Sequence, residues 1–135
     1  MKHELYFRVR YNEVDRMGYV HHGNYAAYFE MGRTELMRQL GVVYKEMEDS
    51  GIVLPLSEFK VKYHRPALYD EQLKLVTRLQ PIKGVRIIFD YFLYNNNDEL
   101  LAEGTTPMVF VDSTTRKPTR PPKELVERLN RDINL

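Results

Sequence analysis

Leu5, Phe7, Val9 and Tyr11 alternate with Tyr6, Arg8, Arg10 and Asn12, and that period of two predicts an opening strand with one buried face. From Asn12 to Asn24 the alternation stops, and glycines and acids replace it without a period, which predicts a loop. Tyr25, Tyr28, Phe29, Gly32, Leu36 and Leu40 then recur at steps of three and four, with Glu30, Arg33, Glu35 and Arg38 on other faces, so an amphipathic helix follows. Gly23 or Asn24 suits its N-cap, and Gly41 suits a left-handed residue just past its end. Gly32 falls on the apolar stripe, where glycine costs about 1 kcal/mol against alanine, so the helix is expected to lie tight against other backbone. A weaker pattern from Val42 to Asp49 predicts a short second helix that Gly51 ends.

Ile52 to Asp112 reads as β-structure: a run from Ile52 that ends at Pro66, then Gln72 to Leu79, Val85 to Tyr94 and Leu100 to Val111. In the first run the apolar parity changes between Leu54, Leu56 and Phe59, Val61, Tyr63, which predicts a bulge near Ser57 and Glu58. Turn chemistry at Pro66–Asp70, Lys83-Gly84 and Asn95–Asp98 predicts that consecutive strands are antiparallel neighbours. A proline-rich connection, Lys117–Pro122, leads to a short helix over Glu124 to Leu129 with proline in its first turn. The order of elements predicts an α+β fold, one domain over residues 1–135, with a long helix packed against a mostly antiparallel five-stranded sheet. Edges rich in Val, Ile, Phe and Tyr invite pairing with another subunit, so a homo-oligomer, dimer or larger, is expected.

Composition narrows the function classes. In 135 residues, 43% apolar and 29% charged positions exclude a disordered or fibrous chain. Twenty Lys and Arg against nineteen Asp and Glu leave a net charge of +1, so no chain-wide field exists to hold nucleic acid or an anionic membrane. Cysteine is absent, which removes disulfides, thiolate nucleophiles and Cys-ligated metals together and favours a reducing compartment. The opening Met1–Tyr6 lacks an apolar core, and no uncharged stretch approaches the ~18 residues of a membrane span. A soluble, cytoplasmic protein is expected.

The segment from Tyr11 to Tyr25 holds two acids, Glu13 and Asp15, the adjacent His21 and His22, Gly18, Gly23 and Asn24, immediately before a helix N-terminus. First-turn N–H groups of a helix are unsatisfied and sit at the positive end of its dipole, so they stabilise an adjacent oxyanion. His22 and Gly23 stand where such backbone donors are needed. The run Tyr11-Asn12-Glu13-Val14-Asp15-Arg16-Met17-Gly18-Tyr19-Val20-His21-His22-Gly23-Asn24-Tyr25, followed by Glu30 and Arg33, resembles the hotdog-fold acyl-CoA thioesterases, in particular the 4-hydroxybenzoyl-CoA thioesterase-like family. The likeness extends through Phe59–Ala67 and over nearly the whole chain. It implies a hotdog fold, an acyl-CoA substrate or an acyl-carrier protein in its place, and a homodimer or homotetramer. Carried over by position, it implies that Asp15 is the catalytic carboxylate, that the His22 backbone amide faces the thioester carbonyl, and that the side chains of His22 and Tyr11 line the site. Glu13 stands where the family more often has Asp, Val14 where Thr is usual, and Arg16 where a small residue is common.

Simpler readings compete at several positions. His21-His22 suggests a metal, but adjacent residues point apart when extended and no spaced third ligand exists, so no metal is expected. The glycine spacings of a nucleotide cradle are missing, and no cofactor is expected. Glu30 and Arg33 read first as an intrahelical ion pair, and Tyr25, Tyr28 and Phe29 as core. Lys60, Lys62, Arg65, Arg86, Arg116, Lys117 and Arg120 read singly as solvated positions, although some are candidates for coenzyme A phosphates. Two other functions fit the same fold: an acyl-thioester hydratase or dehydratase, and a non-catalytic dimeric acyl-binding module.

Overall fold

The computed structural model describes residues 1–133. In β1 (Lys2–Arg8), His3, Leu5 and Phe7 are half-buried and the residues between them exposed, as the alternation requires. A single 3₁₀ turn (Tyr11–Glu13) and a loop lead to α1 (Asn24–Gln39) and α2 (Tyr44–Asp49). Then come β2 (Ile52–Val53), β3 (Lys60–Tyr63), β4 (Gln72–Leu79), β5 (Arg86–Tyr94), β6 (Leu100–Val109) and β7 (Val111–Asp112), and α3 (Lys123–Ile133) ends the described chain. Five strands form one sheet in the order β1-β4-β5-β6-β3, with every neighbouring pair antiparallel. One long helix lies against that sheet, packing on β1, β4 and β5. No helix among the described residues is long and apolar enough to cross a membrane.

The core fills the space between α1 and the sheet. Tyr25, Tyr28, Phe29, Leu36 and Met37 of the helix meet Leu73 and Leu75 of β4 and Ile87, Phe89, Tyr91 and Leu93 of β5, all nearly inaccessible to water. The Phe29 ring stacks on Tyr91 at 4.3 Å between centroids with 7° between planes. One glycine makes room for this contact. A Cβ on Gly104 of β6 would sit 2.5 Å from the Phe29 ring and 2.6 Å from the Lys60 carbonyl oxygen. At Gly32 the close approach is to the side chains of Thr77 and Leu75, not to other backbone. Gly41 closes α1 at φ +82°, where L side chains are strained.

Several expectations are corrected by the topology. The run from Ile52 to Pro66 is not one bulged strand. β2 leaves the main sheet and pairs with β7 (Ile52 with Asp112, Val53 with Val111), whereas β3 joins the main sheet beside β6. The parity change therefore marks a transfer between two sheets, pinned by the Ser57 N–H donating to the Pro107 carbonyl at 2.9 Å. The last strand likewise breaks at Phe110, so that β6 and β7 serve different sheets. Pro66–Asp70 is not a hairpin turn, because β3 is the sheet's edge and β4 lies between β1 and β5. The connection crosses the end of the sheet instead, and on the way it docks the Asn12–Asn24 loop through Val20 N–H to Ala67 O (2.8 Å) and Tyr69 N–H to Gly18 O (3.0 Å). The final helix is longer than Glu124–Leu129, and its prolines precede it.

Glu30 and Arg33 do not pair among the described residues; the ion pair on α1 is Glu35–Arg38 at 3.7 Å. Arg33 is 9% exposed, on a face read as polar. Its cation lies near the phenols of Tyr44 and Tyr91 and offsets part of the rise that burial imposes on both, leaving Tyr44 pushed up to about 12.

The Gly104 contact yields a stability prediction. Gly104→Ala drives a methyl into Phe29 and into backbone that cannot step aside, and should cost about 1–3 kcal/mol, read as a lower midpoint in urea at an unchanged slope.

Candidate active site

The loop between β1 and α1 closes on itself like a small hairpin. Val14 bridges Val20, and the Asp15 N–H donates to the Tyr19 carbonyl at 2.8 Å. Gly18 makes the turn at φ +77° and donates its N–H to the Asp15 carbonyl. The Asp15 side chain takes part as well: Oδ1 accepts the N–H groups of Met17 (2.9 Å) and Tyr19 (3.2 Å). Oδ2 has no partner among the described residues. Asp15 is thus at once a turn residue and a carboxylate with one oxygen to spare. Arg16, beside it, is exposed and makes no ion pair with it.

The N-terminus of α1 faces the same region. His22 N–H has no acceptor among the described residues, whereas Gly23 N–H donates to His21 Nδ1 at 3.1 Å. The two oxyanion candidates therefore differ: the first is open, and the second is held by a side chain that must turn away to release it. The rings of His21 and His22 do not point apart. They stack at 4.2 Å with 30° between planes, because the backbone is already turning into the helix.

Asp15 and His22 line one cleft of about 360 Å³ together with Tyr19, Val20, Tyr25 and the strand end from Tyr63 to Pro66. Tyr25 and Tyr63 meet edge to face at 4.9 Å, and burial pushes the hydroxyl pKa of both upward, so both remain donors at neutral pH. Tyr11 is not in this cleft. It borders a second depression with Val14, Asp15, Arg16, Gly18 and Tyr69, where its ring meets Tyr69 edge to face at 5.7 Å. Asp15 alone touches both hollows.

Of the far wall, sequence reasoning named only Arg65, as one of several candidates for coenzyme A phosphates, and missed the rest. Tyr63, His64 and Arg65 arrive from β3, roughly fifty residues downstream of Asp15, and only the crossover from β3 to β4 brings them alongside. His64 is bonded to Glu103 at 3.1 Å and Arg65 to Glu99 at 2.6 Å. Glu13 was also undervalued. It is 8% exposed, and its Oε1 accepts the Arg10 N–H (2.7 Å) and the Tyr28 hydroxyl (3.1 Å), while Oε2 meets the Arg10 guanidinium at 3.2 Å. Burial and then the Glu13 charge push the Tyr28 hydroxyl well above its ordinary range. Among the described residues no group of three or more His, Asp and Glu side chains is arranged to hold a metal ion.

Comparison with known proteins agrees with this architecture. Residues 9–129 match the thioesterase-like superfamily. YneP of Bacillus subtilis is 36% identical over 110 residues, covering 82% of this chain and 80% of its own. The Escherichia coli protein YbgC, named an acyl-CoA thioester hydrolase, is 29% identical over 119 residues, covering 88% and 89%. The crystal structure of a DHNA-CoA thioesterase from Staphylococcus aureus superposes with a TM-score of 0.92 at 30% identity, over 99% of this chain and 92% of that one. With the sheet, the long helix and the loop between them all in place, the chain belongs to the thioesterase-like superfamily and is a thioester hydrolase of hotdog fold.

Proposed function

We propose that the protein hydrolyses an acyl-CoA thioester to the free acid and coenzyme A, with Asp15 as base or nucleophile and the His22 backbone N–H as oxyanion donor. The observation that carries this reading is one cleft lined both by Asp15, with a carboxylate oxygen that has no partner among the described residues, and by His22, just before the helix N-cap Gly23, whose backbone N–H likewise has none. The relative named an acyl-CoA thioester hydrolase and the neighbour named a DHNA-CoA thioesterase support the substrate class.

Thioester hydrolysis asks little of a protein. Thiols ionise near 8.5, so coenzyme A departs as thiolate without a strong general acid. What remains is delivery of an oxygen nucleophile and stabilisation of the charge that develops on the carbonyl oxygen. Asp15 Oδ2 either takes a proton from water as that water attacks, or attacks the carbonyl itself to give a mixed anhydride that water then opens. Either course consumes one water and yields one carboxylic acid and one thiol. The carbonyl oxygen is held by His22 N–H, joined by Gly23 N–H once the His21 ring swings off it. The side chain of His22 and the hydroxyl of Tyr63 flank the reacting group, and Tyr11 borders the depression on the other side of Asp15.

The decisive measurement is thiol release from short, long and aromatic acyl-CoAs by wild type and Asp15→Asn. Wild type should turn over at least one of them, and the folded variant should lose a factor of about 10² or more. Equal release by both proteins removes Asp15 from the mechanism. No release by either favours the hydratase or acyl-binding readings.

The working unit is proposed to be a homodimer or homotetramer joined along β3. That strand is bonded on one side only, exposes Tyr63, follows directly on the exposed Phe59, and runs into the cleft wall. Light scattering at micromolar concentration should return a multiple of 16.1 kDa. A monomer that hydrolyses thioesters at full rate rules out a site completed by a second copy.

A further inference from the structure

We infer that Glu13 is a positioning residue: α1 grips it at two points, and this grip sets the spacing between the Asp15 carboxylate and the His22 N–H. The inference rests on the thioesterase reading of that same cleft. Residue 13 stands two positions before Asp15, and both ends of the loop converge on it. Its backbone carbonyl accepts the His21 N–H (2.8 Å) and the Asn24 side-chain amide (2.7 Å). Its carboxylate accepts the Tyr28 hydroxyl and the Arg10 N–H. Asn24 and Tyr28 are four residues apart on α1 and therefore project from one face, one turn above the other. A single residue of the loop is thus bolted to two successive turns of the helix whose N-terminus supplies the oxyanion donor.

The geometry separates this from an ordinary buried contact. Glu13 lines neither hollow, so it has no route to substrate. Of the groups that do reach the cleft, Asp15 follows Glu13 by two residues along the chain, and His22 is the residue after His21, whose N–H bonds the Glu13 carbonyl. A carboxylate with little access to water is costly unless its oxygens are satisfied, and here Arg10 and Tyr28 satisfy them from opposite sides. Loosening the Tyr28 side lets the loop shift along the helix without unfolding it. Misplacement by about 1 Å in a reacting constellation costs on the order of 10²-fold in rate.

The test uses Tyr28→Phe, Asn24→Ala and the double variant, with Glu13→Gln and Glu13→Ala as a graded pair. Positioning predicts that Tyr28→Phe lowers kcat about tenfold or more with KM within about threefold, because attack geometry rather than binding is disturbed. The double variant should lose less than the product of the two single losses, since both bonds hold one residue. Glu13→Gln, which keeps the length and one acceptor oxygen, should recover most of the kcat that Glu13→Ala forfeits. Amide hydrogen exchange provides a readout independent of turnover: in Tyr28→Phe the amides of residues 14–21 should exchange faster while those of β4 and β5 are unchanged. A kcat within twofold of wild type together with unaltered exchange in the loop overturns the inference. So does a uniform rise in exchange across the sheet, which marks Glu13 as a general stability contact. Were wild type to release no thiol from any acyl-CoA, the thioesterase reading fails, and the exchange experiment still decides whether the grip exists.

Discussion

A helix can approach a sheet only as closely as the side chains between them permit, and everything at the candidate site depends on how close α1 comes. Gly104 removes a side chain from β6 where Phe29 lies stacked on Tyr91, and Gly32 removes one from the helix where Thr77 and Leu75 of β4 press against it. A lone large residue in such a slot packs with aromatic geometry on one side and backbone on the other, so the helix has little freedom to roll or slide. Its N-terminus is aimed accordingly. The positive end of its dipole adjoins the loop that carries Asp15, and His22, whose N–H has no acceptor among the described residues, lines one cleft with Asp15.

The loop is ordered by polar bonds where the helix is ordered by packing. Thirteen residues between Asn12 and Asn24 bury little apolar surface of their own, and they gain definition from Glu13 at the neck, Asp15 at the turn and the crossover at Ala67–Tyr69 alongside. Each carboxylate takes a different part. Glu13 is buried and fully engaged, whereas Asp15 offers one oxygen to the backbone and keeps the other. Two carboxylates two positions apart thereby serve two ends, with burial deciding between them.

How much of this could be read in advance follows from the range of the forces involved. The bounds of α1 and β4 and the turns at Lys83-Gly84 and Asn95–Asp98 are local signals, and the structure places them within a residue of expectation. The transfer of Ile52–Val53 to a second sheet was visible only as a change of parity, because a bulge and a change of sheet leave the same mark on the alternation. Arg33 reads as half of an intrahelical ion pair with Glu30 for a related reason: its position on the helical wheel is fixed by sequence, but α2 folds back and puts Tyr44 beside it. The site divides the same way. The open oxygen of Asp15 and the helix amides lie within one short segment and were legible as a unit. Tyr63, His64 and Arg65 enter the cleft through the β3–β4 crossover, which no local pattern encodes.

The division of labour between loop and strand bears on how such a site can change. The thioester chemistry proposed for it needs one carboxylate oxygen, one or two amides and a water, all supplied by a segment of some ten residues that Glu13 ties to the helix. The wall that an acyl group would lie against comes from β3, an edge strand with one bonded neighbour and side chains that touch solvent. The side chains of Lys60, Lys62 and Tyr63 are exposed and none bonds to Glu13, although Tyr63 packs on Tyr25 of α1. Substitutions in the loop must satisfy several hydrogen bonds at once. On the proposed reading, physical coupling confines the chemistry to the tightly bonded segment and leaves the acyl wall to the loosely bonded one, so a change in acyl preference is expected to cost less stability than a change in mechanism.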